Sequence, residues 1–245
     1  MSITLNPPPE LTPGPRPKTT YTLAVCLYPQ FTMLDYQGPI EILTAFPSQN
    51  RQNLGFIEFL PKFPDIGIEP DYLSHTNEPV EPLMGPNVVP TGTYKQAMEE
   101  GKQYDLLLIP GGNAHPGNVD PSLMEFIKNQ YPKAKHILTV CTGSWILAGT
   151  GLLNGKKATT NKMLFKTIQE CTKDLNINWV PKARWMVTDD KKIWTGSGVI
   201  AGMDLANAFM EYFVGKEFAY QACMSVEFTS RGQDDDEWAS VHGLV

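Results

Sequence analysis

Cys141 sits where a strand has to turn into a helix. The short apolar run Ile137 to Val140 reads as a buried parallel strand. Trp145, Ile146 and Leu147 follow at the spacing of a buried helix face. Between them, Thr142, Gly143 and Ser144 are small enough for the tight backbone path of a nucleophile elbow. A thiol at that turn faces the positive end of the helix dipole and nearby backbone N–H groups, which favour the thiolate. Helix N-termini bring a cysteine from ~8.5 down to roughly 3.5–7.5, so the placement predicts a reactive, low-pKa cysteine. The competing reading is a buried structural thiol, since free cysteine is among the most buried residue types.

Two further stretches could meet Cys141. Asp35 lies between a strand read at 21–27 and a helix read from Gly38-Pro39, with Pro39 at the first helical position, where its missing N–H costs nothing. That puts Asp35 in the loop beyond the carboxyl end of the first strand, the edge at which open α/β sheets bind ligands. Cys141 occupies the same edge. Taken alone, Asp35 reads better as a helix cap or a solvated loop acid. Leu106 to Ile109 is a second all-apolar strand, and Gly111-Gly112 after it could turn with their N–H groups exposed as an oxyanion hole. His115 follows closely enough to approach the site, although a surface loop histidine is the plainer reading.

The elements that must position these residues follow the βαβ pattern of a parallel sheet. Residues 121–131 read as a helix capped by Asp120 or Ser122, and 162–172 as an amphipathic helix. Strands are expected at 177–180, 185–188 and 192–195, the last two as a hairpin around Asp189-Asp190-Lys191. Helices follow at about 199–214 and 219–226. Gly196-Ser197-Gly198 resembles a phosphate cradle, but no Walker lysine or Gly-x-Gly-x-x-Gly accompanies it, so close backbone packing is its expected role.

The stretch 56–93 is broken by prolines at 61, 64, 70, 79, 82, 86 and 90. Short strands are expected there at 56–60, 72–75 and 88–91, with a small β-hairpin excursion off the sheet. The fold class is therefore α/β, a flavodoxin-like, mostly parallel sheet flanked by helices in a three-layer sandwich. Residues 1–20, with six prolines, read as an extended arm, residues 21–230 as the α/β domain, and residues 231–245 as a solvated acidic tail.

A chain of 245 residues with 42% hydrophobic content can build one full core. Its net charge of −6 argues against a nucleic-acid surface, and no DNA-binding helix-turn-helix follows the domain. No run of 18 apolar residues suggests a membrane span. The start lacks a secretory signal, and the four dispersed cysteines (26, 141, 171, 223) form no Cys-x-x-Cys motif. A cytoplasmic protein without metal or cofactor is expected.

Taken together, these segments resemble the ThiJ/PfpI superfamily within the class I glutamine-amidotransferase-like folds, and most closely its isonitrile hydratase branch. The carrying motifs run from residue 34 to 204: Leu34-Asp35-Tyr36-Gln37-Gly38-Pro39, Ile109-Pro110-Gly111-Gly112, Val140-Cys141-Thr142-Gly143-Ser144, Gly151-Leu152-Leu153-Asn154-Gly155-Lys156 with Ala158-Thr159-Thr160, and Thr195-Gly196-Ser197-Gly198 with Ala201-Gly202-Met203-Asp204.

The resemblance implies Cys141 as nucleophile, Asp35 as the acid/base beside it, and Thr142 as a contact to the reacting group. It implies Gly111, Gly112, Asn113 and Gly198 around the substrate, and a homodimer with its sites near the subunit interface. Relatives with a Cys-His pair commonly carry histidine just after the Ala-Thr-Thr segment. This chain has Asn161, which cannot accept a thiol proton at neutral pH, and that weakens proteolysis and glutamine hydrolysis as activities.

Three functions remain open. The first is addition of water to an isonitrile. The second is another cofactor-free lyase or hydrolase acting on a small carbonyl or specialised metabolite. The third is a redox sensor in which Cys141 oxidises to a sulfinic acid. The small-molecule pocket is expected to draw on the 61–90 region and the surroundings of Trp145, Trp185 and Trp194.

Overall fold

The computed structural model describes residues 17–45 and 65–245. Its strands are β1 (Thr19–Cys26), β2 (Ile66–Ser74), β3 (Gly92–Thr93), β4 (Leu106–Ile109), β5 (His136–Thr139), β6 (Lys157–Ala158), β7 (Asn178–Trp179), β8 (Trp185–Val187) and β9 (Ile193–Gly196). Its helices are α1 (Met33–Leu43), α2 (Tyr94–Glu99), α3 (Pro121–Gln130), α4 (Gly143–Gly149), α5 (Phe165–Cys171), α6 (Ala201–Phe213), α7 (Lys216–Ser225) and α8 (Trp238–Val241).

The main sheet has the order β3-β2-β1-β4-β5-β9-β8. All its pairings are parallel except the β8–β9 hairpin at one edge. The central strands are apolar on both faces: Leu106, Leu107, Leu108 and Ile109 have no exposed surface. A strand buried on both sides needs cover on both sides. Helices α1, α6 and α7 pack together as one group, and α2, α3 and α4 as another, giving an α/β three-layer sandwich. The order of sequence reverses between β1 and β4, and at that switch point the loops after the two strands part and leave a crevice.

Several expectations are corrected. The first helix begins at Met33, not Gly38, so Asp35 is in its first turn and Pro39 is inside it. A proline there leaves the Asp35 carbonyl without its helical donor. Helix α1 accommodates it while packing closely on α6, where a Cβ on Gly38 would come within 2.9 Å of Met203 and one on Gly202 within 3.4 Å of Pro39.

The strand expected at 72–75 is the end of a nine-residue strand pairing in parallel with β1. Among the described residues, the hairpin expected between 56 and 93 reduces to one antiparallel bridge, Val80 to Val88, and the strand expected at 56–60 lies outside them. So does most of the proposed arm, but β1 already starts at Thr19. The helix expected over 162–172 is shorter, because residues 161–164 form a turn that leads into α5.

The C-terminal segment is not simply a solvated acidic run. Asp236 is only 5% exposed, and α8 follows it with Ala239 fully buried. Among the described residues, no helix is long and apolar enough to cross a membrane.

Candidate active site

The loops that leave β1 and β4 are stitched together at the switch point. Gly111 accepts a hydrogen bond from Thr32 N–H at 2.8 Å, Asn113 N–H donates to the Gln30 carbonyl at 3.0 Å, and Phe31 bridges Gly112. Thr32 is the N-cap of α1, so this stitching sets the direction in which the helix starts. Asp35 then points back at the sheet edge, where its Oδ2 accepts from Gly111 N–H at 2.8 Å. The carboxyl group is fully buried.

The elbow is built on the neighbouring strand. Val140 N–H donates to Ile109 O at 3.0 Å and Cys141 N–H to Ser197 O at 2.9 Å, which pins the end of β5 between β4 and β9. Cys141 has φ 57°, a left-handed conformation that L side chains rarely adopt. The surroundings over-determine it: Ser144 Oγ and Thr160 Oγ1 both donate to the Cys141 carbonyl, at 3.1 and 3.2 Å. A Cβ on Gly143 would come within 2.3 Å of Ile109 O, so glycine is required for this close pass. A strained nucleophile position held by its neighbours is a common feature of catalytic sites.

The structure brings together Cys141, Asp35, Thr142 and Asn161. Asn161 Nδ2 donates to the Cys141 sulfur at 3.2 Å, while its Oδ1 accepts from Leu164 N–H at 3.2 Å. That second bond fixes which end of the amide faces the thiol. The backbone N–H of Thr142 favours the thiolate, while its hydroxyl donates to the Gly112 carbonyl at 3.0 Å. The Cys141 thiol lies close enough to the Asp35 carboxyl group to favour its ionised form. The buried Asp35 Oδ1 has no well-aligned partner.

Burial outweighs these contacts and reverses the low-pKa expectation. With the thiol only 6% exposed, loss of solvent, followed by the negative charge of Asp35, pushes Cys141 up to about 12. The helix end and the N–H donors act in the expected direction but cannot replace the lost water. The same burial pushes Asp35 up to about 7. At neutral pH the pair is therefore a thiol beside a carboxyl group poised between its two forms.

The expected oxyanion amides are already engaged. Gly111 N–H serves Asp35, Gly112 N–H donates to Thr142 Oγ1 at 2.9 Å, and Asn113 N–H serves Gln30. The glycines are needed for close approach instead: a Cβ on Gly111 would lie 2.7 Å from Asp35 Oδ2, and one on Gly112, where φ is +138°, 2.3 Å from Gln30 O. The side chain of Asn113 is exposed and bonds Gln30 at 2.7 Å. His115 is also exposed, stacked edge-on against Trp145 with centroids 4.9 Å apart. Its Nδ1 accepts from Gly117 N–H, so it is not part of the thiol's contacts.

A cavity of about 320 Å³ reaches Asn161, whose amide contacts the thiol, and is lined beside it by Ser197, Gly198, Met163, Val199 and Ile200, with Cys141 itself outside the lining. Trp238 and His242 of the C-terminal segment also line it. Trp145, Trp185 and Trp194 do not line this cavity, nor does any described residue of the 61–90 region. Trp194 is a core residue packed on Phe209 and Tyr212. Trp238 escaped sequence reasoning because a tryptophan in an acidic C-terminal run carries no periodic signal.

A sequence profile of the DJ-1/PfpI family matches residues 22–212. The isonitrile hydratase of Pseudomonas putida is 27% identical over 203 residues, which cover 82% of this chain and 76% of that one. In structure, the chain superposes on a ThiJ/PfpI family protein from Pseudomonas syringae with a TM-score of 0.69 at 23% identity, covering 94% of this chain and 83% of the other. It superposes on oxidized DJ-1 from Toxoplasma gondii with a TM-score of 0.63 at 20% identity, covering 85% and 99%.

Proposed function

The chain belongs to the DJ-1/PfpI family, and from that premise we propose that it is a cysteine-dependent, cofactor-free hydro-lyase that adds water to a small isonitrile. The observation that carries this reading is the buried Cys141–Asp35 pair, with Asn161 rather than a histidine on the sulfur. The similarity to isonitrile hydratase supports it.

The pair suits this chemistry because an isonitrile carbon accepts a nucleophile and a proton at the same atom. Asp35, ionised at and above about pH 7, takes the thiol proton as Cys141 sulfur bonds to the terminal carbon. Asp35 then returns that proton to the carbon, leaving a thioimidate, R–N=CH–S–Cys141. Water adds to the thioimidate carbon, the C–S bond breaks, and the nitrogen and the sulfur each end with a proton. The products are the N-formyl amine, R–NH–CHO, and the free thiol. Asn161 and the Thr142 N–H stabilise sulfur as charge develops on it. A carboxyl group that titrates near neutrality can serve in both directions.

Formamide production from a simple alkyl or aryl isonitrile tests the proposal, with Cys141→Ser and Asp35→Ala run in parallel. Turnover lost in the serine variant supports it. No turnover by wild-type protein with Cys141 shown reduced by mass spectrometry rules it out, and redirects attention to carbonyl electrophiles. Turnover that persists in the serine variant removes Cys141 from the mechanism.

Redox sensing is the second reading. A protonated Asp35 could hydrogen-bond a sulfinate oxygen, and burial keeps that carboxyl protonated up to about pH 7. The same burial keeps the thiol protonated, and a thiol oxidises more slowly than a thiolate. The hydratase reading is therefore favoured. As in other members of the family, a homodimer is proposed for the assembled protein.

A further inference from the structure

The segment after residue 230 is anchored by charges that belong to the body of the fold. Arg184 N–H donates to the Gln233 carbonyl, and Asp204 Oδ1 accepts from Arg231 N–H, each at 2.7 Å. Lys162 Nζ meets Asp236 Oδ2 at 3.2 Å, both side chains being 3% exposed or less. Asp236 Oδ1 then accepts from the N–H groups of Trp238 and Ala239, at 2.9 and 3.3 Å, and so starts α8. Lys162 follows directly on Asn161, the residue whose amide contacts the thiol. The turn that positions Asn161 and the segment that carries Trp238 are therefore held by one buried ion pair.

That anchoring sets Trp238 at the cavity that Asn161 shares with the thiol, where three large apolar side chains remain open: Met163 is 70% exposed, and Ile200 and Trp238 are each 51% exposed. The two cations that line the cavity, Lys162 and Arg184, are committed to Asp236 and Asp204. Apart from the His242 imidazole, the described lining thus offers apolar area and no uncommitted charge to a ligand.

Resting on the hydratase reading of the site, we infer that Trp238 is a specificity-determining wall. The electrophile presented to Cys141 carries a bulky apolar substituent, and that group lies against Trp238, Ile200 and Met163. An uncharged aromatic or branched substituent gains contact area there, whereas a methyl group is too small to reach the wall. A second copy of the chain is the rival occupant of the same apolar area.

The test compares benzyl isonitrile with methyl isonitrile in wild type, Trp238→Ala and Trp238→Phe. The benzyl-to-methyl ratio of kcat/KM falls by about tenfold in the alanine variant, about 1.4 kcal/mol, and is largely kept by phenylalanine. A ratio that does not change overturns the inference. A second arm needs no turnover: N-benzylformamide slows alkylation of Cys141 by iodoacetamide, read on the Cys141 peptide by mass spectrometry. N-methylformamide does not, and Trp238→Ala abolishes the protection.

If neither isonitrile is turned over, the hydratase reading fails while the protection arm still decides the role of Trp238. Absence of protection by N-benzylformamide overturns the inference. Sedimentation gives the remaining check: a wild-type dimer that dissociates in Trp238→Ala assigns the residue to a subunit interface and overturns it as well.

Discussion

Asn161 donates its amide to the sulfur of Cys141 at 3.2 Å, from a turn whose other anchor is the Leu164 N–H. A neutral donor stabilises a thiolate without being able to take its proton. On the proposed mechanism that proton goes to the Asp35 carboxylate. The asparagine distinguishes the site from a Cys-His pair, and in that mechanism the ionisation of Asp35 is the controlling step.

Asn161→His should convert the site towards the Cys-His type. An imidazolium beside the sulfur lowers a cysteine pKa by roughly one or more units. The pH midpoint of Cys141 alkylation by iodoacetamide should therefore drop by about one unit or more. An unchanged midpoint would mean that the amide contact does not control the thiol.

Asp35 ties activity and stability to the same titration with opposite signs. If its carboxylate accepts the thiol proton, kcat/KM rises with pH through a midpoint near 7 and is lost in Asp35→Asn. For stability, the unfolded carboxyl titrates near ~3.9, and burial raises the folded one to about 7. Between those values the folded state holds the extra proton, so stability falls as pH rises through that window. Its full cost, at most about 4 kcal/mol by this shift, is present above pH 7. Asn removes that cost, so the melting temperature of Asp35→Asn should rise relative to wild type between pH 4.5 and pH 8. A constant difference across this range would contradict the assignment.

Gly143 and Cys141 separate folding from chemistry at the elbow. Gly143→Ala forces a Cβ to within 2.3 Å of the Ile109 carbonyl oxygen, and nothing but backbone can move. A loss of about 3 kcal/mol or more is expected, visible in urea unfolding. Cys141→Ser changes one atom at a position already held in its conformation, and should unfold within about 1 kcal/mol of wild type while losing turnover.

The buried Lys162–Asp236 pair should behave asymmetrically. Asp236→Ala strands a buried ammonium and removes the start of α8, costing about 3–5 kcal/mol. Adding Lys162→Met removes the stranded charge and should restore much of that loss, since an apolar pair avoids desolvation. A double-mutant cycle by denaturant unfolding checks the sign of the coupling. If the single variant loses less than 1 kcal/mol, the pair does not anchor the segment.

Much of this protein is determined by local sequence. Apolar runs such as Leu106–Ile109 and Ile137–Val140, each followed by a glycine-containing turn and a helix, specify parallel strands whatever surrounds them. The rule that ligands gather at the strands' carboxyl ends places Asp35 and Cys141 on one edge. Periodicity and turn chemistry are local properties, so both were legible, as was the asparagine at position 161.

Tertiary structure decided the electrostatics and the boundary of the cavity. A helix end predicts a thiolate, but depth of burial is set by many distant residues, and here it leaves a thiol. The Gly111 and Gly112 amides look free in sequence; the loop after β1 and the Thr142 hydroxyl consume them in space. Proline usually begins a helix, yet close packing of α1 on α6 carries Pro39 inside one. The acidic run near the C-terminus reads as solvated until Lys162, more than 70 residues earlier in the chain, supplies the buried cation that folds Asp236 and Trp238 against the cavity. Which charge meets which across such a separation is a property of the packed chain, because no local pattern encodes it.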